Sequence, residues 1–163
     1  MKIDRSELLT QTGPDTGAGK TLRQYWIPAA LTDELDSNRP LVPIKLMGED
    51  LVLFRNQNGE LGLVDRHCPH RGVDLAYGRL EKNGLRCPFH GWYFSTNGQC
   101  LEQPAEPEDS TLFEKIKTTA YPVIERNGII FAFMGKGKVP ALPSLDCFQA
   151  PDSHVFSFKG LWQ

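Results

Sequence analysis

No run of apolar residues comes near the roughly eighteen that a membrane-spanning helix needs. The opening residues, MKIDRSELLTQTG, have neither the apolar stretch nor the small-residue cleavage site of a secretory signal. A cytoplasmic protein with no membrane partner is the expectation. An excess of one charge is also lacking: the net charge is −2, so no basic field argues for nucleic acid or for an anionic lipid surface. A complete phosphate-binding loop is missing too. Gly19-Lys20-Thr21 has the ending of one, but its earlier glycine belongs at position 14, where Pro14 stands, and no strand pattern leads into it. The expectation there is a surface loop before a helical turn, TLRQYW, anchored to the core by Tyr25, Trp26 and Ile27. Histidine and cysteine are scarce, with four of each. The whole chemistry of the chain therefore has few ligands to draw on.

What is present is a chain of 163 residues, 40% hydrophobic and 23% charged, enough for one globular domain with a core. Ser6 to Thr10 reads as a short helix with Ser6 as cap, broken by the Gly and Pro of TGPDTGAGK. From Pro40 the period becomes that of strands: VPIKLM, DLVLFRN and LGLVD are short and rich in β-branched or aromatic residues. Asn-Gly, the strongest short hairpin signal, occurs at Asn58-Gly59, Asn83-Gly84, Asn97-Gly98 and Asn127-Gly128. These marks point to an all-β class.

Residues 103–111, QPAEPEDST, read as a surface loop, and AYPVIERNGIIFAFM as two closing strands of the sheet that carries the ligand loops, with Pro122 at an edge. The division expected is an N-terminal extension with short helical turns over 1–39, a core domain over 40–135 with its ligand lobe at about 64–102, and a connector over 136–163. The connector ends in a last strand-like piece, VFSFKGLW. A strand-like run with no turn, cap or polar tail after it is expected of a truncated chain or a proteolysed core.

The chemistry lies between His67 and Phe94, HCPHRGVDLAYGRLEKNGLRCPFHGWYF. Cys68 and His70 stand two positions apart, sixteen residues follow, and then come Cys87 and His90, three positions apart. Each pair begins Cys-Pro and has a glycine within two residues of its histidine, as tight loops that approach a metal closely require. Zinc accepts two cysteines and two histidines, but its usual spacing keeps the cysteines together and the histidines together. Here each loop mixes the two types. A Rieske 2Fe-2S centre places two thiolates on one iron and two imidazoles on the other, so each loop must give one ligand to each iron. Structural zinc stays open as the alternative at this point.

The segments CPHRG and CPFHGWYF resemble the cluster-binding signature of the Rieske domain of aromatic-ring-hydroxylating oxygenases. TGPDTGAGKTLRQYWIPAAL is similar to the phthalate-dioxygenase-like branch of oxygenase subunits. The resemblance implies a Rieske iron-sulfur fold, an antiparallel β-sandwich with a small lobe of two hairpin loops. It also implies that Cys68 and Cys87 bind the buried iron and His70 and His90 the outer one. Its wider implications are an NAD(P)H-dependent flavin and iron-sulfur reductase as electron donor and a homo-oligomer, a trimer. They also include a separate catalytic domain, whose mononuclear Fe(II) activates O2 to hydroxylate an aromatic substrate.

A 2-His-1-carboxylate triad is not visible here, since only His67 and His154 are spare. This stretch alone is expected only to transfer electrons. A free-standing Rieske ferredoxin is the alternative. It leaves the first forty residues and the proline-rich tail unexplained.

Respiratory Rieske proteins, similar in ligands only, carry an extra cysteine in each loop and hydroxyl donors to the cluster sulfurs. Here Val73 and Phe89 stand where those cysteines belong, and Trp92 and Phe94 where the hydroxyls belong. Fewer hydrogen bonds to the reduced centre imply a potential near the low end of the Rieske range, roughly −150 mV. Reduction beside two imidazoles should also raise their pKa, so the potential is expected to fall with pH. His67 has the wrong spacing for a ligand, and Trp92 is expected to shield the centre. Arg71 is expected to hold its loop through a salt bridge to Asp65 or Asp74, or to meet the electron donor. Cys100 and Cys147 are expected as free thiols, and His154 as a structural or exposed residue.

Overall fold

Two short helices open the chain in a computed structural model that describes residues 5–35, 38, 40–107 and 109–160. They are α1 (Arg5–Thr10) and α2 (Gly17–Leu22). Ser6 is not the cap: it lies inside α1, where its carbonyl accepts from Thr10 Oγ1 at 2.8 Å. Thr16 caps α2, its Oγ1 accepting from the Gly19 N–H at 3.0 Å, so Gly19-Lys20-Thr21 lies within a helix rather than a loop. Tyr25 does not anchor the turn that follows, being 65% exposed; Arg23 is the buried residue there.

Ten strands come next in chain order: β1 (Trp26–Leu31), β2 (Leu41–Leu46), β3 (Glu49–Arg55), β4 (Leu61–Asp65), β5 (Arg79–Glu81), β6 (Gly84–Arg86), β7 (Tyr93–Ser95), β8 (Cys100–Glu102), β9 (Val123–Arg126) and β10 (Ile129–Phe133). They form three antiparallel sheets, ordered β2-β3-β4, β5-β6-β7-β8 and β1-β10-β9. Residues 1–39, expected as an extension with short helical turns, also supply β1, which pairs with β10. Pro28 hides this strand from a sequence reading. It sits on an edge strand at a register shift, one of the few places where a strand tolerates proline.

Strands β9 and β10 lie in a sheet of their own with β1, rather than in the sheet that carries the ligand loops. The stretch Pro122 leads into is an edge, as its missing N–H demands. Residues 155–160, expected as a strand, form none, and Leu161 to Gln163 lie outside the described residues. Asn83-Gly84 ends a hairpin, but the glycine belongs to β6 and not to the turn: a Cβ on it would stand 1.9 Å from the Phe94 carbonyl oxygen. A helical turn, Leu112–Lys115, interrupts the loop region after β8.

Alternation along β3 explains the layering. Leu51 and Leu53 face one core with Leu63, Ile130, Ala132 and Met134; Val52 and Phe54 face a second with Val64, Leu75, Leu85, Phe94 and the two cysteines Cys68 and Cys87. The β2-β3-β4 sheet is therefore a middle layer buried on both faces. Full burial of each such side chain contributes roughly 1.5–3 kcal/mol. The ligand lobe is packed on one side of this layer and the β1-β10-β9 sheet on the other.

Candidate metal centre

The first ligand loop leaves β4 and the second joins β6 to β7. They share one backbone frame. In the first, His67 pairs with Asp74, the Cys68 N–H donates to the Val73 carbonyl at 2.9 Å, and the Gly72 N–H donates to the Cys68 carbonyl at 2.8 Å. In the second, Arg86 pairs with Tyr93, the Cys87 N–H donates to the Trp92 carbonyl at 2.8 Å, and the Gly91 N–H donates to the Cys87 carbonyl at 3.2 Å. Both frames close through a left-handed glycine, Gly72 at φ +69° and Gly91 at φ +72°. Within that shared frame the histidine is third in one loop and fourth in the other.

This arrangement brings the four candidate ligands together as two pairs. Cys68 and Cys87 are 2% and 4% exposed and belong to the core beneath the loops. His70 is half-buried and His90 exposed, with ring centroids 4.6 Å apart. Among the described residues, no three His, Cys, Asp or Glu side chains gather round one ion. Two thiols in the core and two imidazoles at the rim match the two pairs that a two-iron centre takes, one pair to each iron. The donor set fits such a centre.

Burial pushes the Cys68 thiol up to about 11; the Cys87 sulfur beside it adds to the rise, and the backbone N–H groups of His70 and Arg71, aimed at the Cys68 sulfur, oppose it. Those two amides are positioned to stabilise a thiolate. Burial, then the charges of His90 and Arg71, holds His70 below the usual imidazole value, against the opposing charge of Glu106. The neutral, metal-binding form of this imidazole is thereby favoured.

Other named residues fall into place around the pairs. Trp92 stacks on His70 with centroids 4.4 Å apart and planes 4° from parallel, and is itself buried. Phe89 lies exposed against His90 at 3.9 Å. Val73 packs partly buried on the core under the loops and Phe94 is fully buried within it. The salt bridge expected of Arg71 is made by Arg66 instead, 2.6 Å from Asp74, while Asp65 accepts from the His67 N–H; Arg71 is left exposed beside His70. His67 is exposed, 3.6 Å from Asp65. His154 is exposed and meets the Ser153 hydroxyl, far along the chain from the pairs. Cys100 and Cys147 are free, the first buried with its thiol donating to the Glu102 carbonyl at 3.5 Å.

Segment 103–107 is exposed as expected except at Gln103, and it also flanks both loops. A Cβ on Gly91 would stand 3.2 Å from Pro104 Cγ, Glu106 lies close enough to act on His70, and Gln103 is only 6% exposed. Neither amide atom of Gln103 meets a partner among the described residues. Composition concealed this, because Pro and Glu mark a loop without saying what it packs against. Arg86, whose Nη1 donates to the Gly91 carbonyl at 2.7 Å, was also missed. Its signal in the sequence was only its place before Cys87.

Residues 25–122 match the model of the Rieske [2Fe-2S] domain. The chain belongs to that family. The cofactor of a Rieske domain is a 2Fe-2S cluster, and the paired loops described above are the part of the fold that suits it. The chain is 40% identical over 151 residues to the 3-chlorobenzoate-3,4-dioxygenase oxygenase subunit of Comamonas testosteroni, covering 92% of this chain and 35% of that one. It is 41% identical over 129 residues to the phthalate 4,5-dioxygenase oxygenase subunit of Pseudomonas putida, covering 78% and 29%. Among solved structures, dicamba monooxygenase superposes with a TM-score of 0.68 at 28% identity, covering 81% of this chain and 42% of that one. This Rieske chain thus spans about a third of the length of the curated relatives it matches. Among the described residues no helix is long and apolar enough to cross a membrane.

Proposed function

We propose that Cys68 and Cys87 hold the inner iron of the cluster and His70 and His90 the outer iron, and that the domain carries electrons for a ring-hydroxylating oxygenase. When bound, the cluster takes up and gives back one electron. The chain's own residues bind it, exclude water from its sulfur side through Trp92, Phe94 and the core, and leave its imidazole side open to partners. The observation that carries this is the duplicated loop frame, with buried thiols at its base and imidazoles at its rim.

In this reading an NAD(P)H-dependent flavin and iron-sulfur reductase supplies the electrons. The acceptor is a mononuclear Fe(II) in a catalytic domain that activates O2 to hydroxylate an aromatic substrate. Residues 40–135 form the electron-carrying unit together with β1, and 136–163 the connector toward that domain, in a cytoplasmic trimer. Support comes from the oxygenase subunits that the chain resembles and from the exposed, strandless run after Pro143, where Phe156 and Phe158 are 86% and 75% exposed. The carrier alternative is not favoured, because these relatives are oxygenase subunits.

Iron and acid-labile sulfide analysis of the pure protein tests the ligand assignment. Two of each per chain are expected, with a rhombic electron-paramagnetic-resonance signal on reduction. Zinc without sulfide would overturn it. Cys87→Ser should abolish the signal.

A further inference from the structure

The two ligand loops match in backbone but not in how they are braced. Beside the first, Arg66 pairs with Asp74 through two bonds of 2.9 and 2.6 Å and, among the described residues, its side chain has no bond to a carbonyl of the loop tip. Beside the second, Arg86 reaches four acceptor atoms on three segments. Its Nη1 donates to the Gly91 carbonyl at 2.7 Å, Nε to Glu81 Oε1 at 2.6 Å, and Nη2 to Glu81 Oε2 at 3.0 Å and Glu102 Oε2 at 2.6 Å. The guanidinium carbon also lies 4.7 Å from the Tyr93 ring centroid, and the side chain is 15% exposed. Arg79 shares Glu81 from the outside, at 2.7 Å.

We propose that Arg86 is a positioning residue of the cluster site: through the Gly91 carbonyl it fixes the loop that carries His90, and its charge at the loop's base favours the reduced form of the centre. The inference rests on the assignment of Cys87 and His90 as ligands. Gly91 follows His90 directly, and the peptide units on its two sides are each held, the His90–Gly91 unit by its N–H on the Cys87 carbonyl and the Gly91–Trp92 unit by its carbonyl on Arg86. Turning the Gly91–Trp92 unit moves Gly91, and through it the backbone that points the imidazole. A planar guanidinium spans the carbonyl and both carboxylates at once, whereas an ammonium cannot. Without the cation, Glu81 and Glu102 stand near the centre less compensated, and an added electron is disfavoured.

The test uses the cluster-loaded protein and three variants, Arg86→Gln, Arg86→Lys and Glu102→Gln, each checked for iron and sulfide content before its midpoint potential and reduced-state spectrum are recorded. Arg86→Gln should lower the equilibrium constant for reduction about tenfold, which is about 59 mV for one electron. Arg86→Lys should regain most of that potential while its spectrum still departs from the parent's, because the charge returns without the fork. Glu102→Gln removes an anion from a side chain that is 52% exposed, so it is expected to load normally and shift the potential upward by less than tenfold.

A fully loaded Arg86→Gln with the parent's potential overturns the proposal, as does Arg86→Lys falling as far as Arg86→Gln. Should Arg86→Gln fail to load, Glu102→Gln decides alone: an upward shift supports the proposal, and no shift or a downward one overturns it. A parent protein without a 2Fe-2S cluster would instead remove the ligand assignment, and this inference with it.

Discussion

Alanine at Gly72 and at Gly91 separates backbone strain from crowding, because the two glycines occupy the same place in matched loops. Both are left-handed, at φ +69° and +72°. That conformation costs an L-residue roughly 1–2 kcal/mol, less about 0.4–1 kcal/mol gained from the stiffer unfolded chain. At Gly72 a Cβ meets nothing within 4 Å, so strain is the whole effect, about 1 kcal/mol. At Gly91 it lies 3.2 Å from Pro104 Cγ and 3.7 Å from Pro104 Cδ. That ring cannot swing aside easily, because its turn is closed by the Glu106 N–H on the Gln103 carbonyl at 3.0 Å.

Crowding of this kind adds roughly 1–3 kcal/mol. For a chain of this size each kcal/mol lowers the melting temperature by about 2–4 °C. Gly72→Ala should therefore melt about 2–4 °C below the parent, and Gly91→Ala roughly 4–16 °C below. Circular dichroism at one scan rate, with the visible band of the cluster followed alongside, measures both. Equal shifts, or a larger one at Gly72, would refute the assignment of Pro104 as the wall of the second loop.

Arg23 is 4% exposed and donates to Glu49, to the Met47 carbonyl at 2.7 Å and to the Thr12 carbonyl at 3.3 Å, while Tyr121 Oη donates to Glu49 at 2.6 Å. Arg23→Met strands that carboxylate; since Glu49 keeps 22% exposure, the loss should be about 2–4 kcal/mol rather than the full buried-pair value. Adding Glu49→Met should recover part of it, and strict additivity in the double-mutant cycle would sink the idea. Glu81 supplies a pH test: the guanidinium of Arg86 holds its carboxyl at about 2, against an ordinary 4.5. A depressed carboxyl stabilises above its unfolded value, so the stability gap between the parent and Glu81→Gln should close as pH falls from about 4.5 to about 2. Denaturant midpoints across that window check it. The reduction midpoint should lie near −150 mV, since Trp92 and Phe94 offer the cluster sulfurs no hydroxyl; a value above about +200 mV contradicts this.

The family and its cofactor were legible because they depend on residue type and spacing: two Cys-Pro loops with a histidine and a glycine each leave few metals to choose from. The strands from Leu41 to Asp65 were legible for a similar reason, period and turn signals agreeing. What could not be read depended on contacts between distant segments. β1 is a strand because β10 pairs with it, and Pro28 alone argues the other way. VFSFKG has the composition of a strand, but among the described residues no strand pairs with it, so it forms none; its Ser157 hydroxyl instead donates to the Asn127 carbonyl at 2.7 Å. Arg71 and Arg66 are both near acidic residues in sequence, and only the backbone course decides that Arg66 reaches Asp74.

The middle sheet explains why two short loops can hold a fixed geometry. Each face of β3 belongs to a different core, so a shift of the lobe against β2-β3-β4 would disturb Val52 and Phe54, which pack with Cys68, Cys87 and Trp92. Sliding the opposite layer would disturb Leu51 and Leu53 in the same strand. Close-packed interiors resist both movements. The lobe is further joined to the middle sheet at two points: the Arg66 N–H at the start of the first loop donates to the Asp50 carbonyl of β3 at 3.1 Å, and the Gln57 N–H of the β3–β4 turn donates to the Glu81 carbonyl of β5 at 3.2 Å. Under the proposed ligand assignment, the depth gradient from thiols in the core to an exposed imidazole makes the histidine rim the side that faces an electron partner.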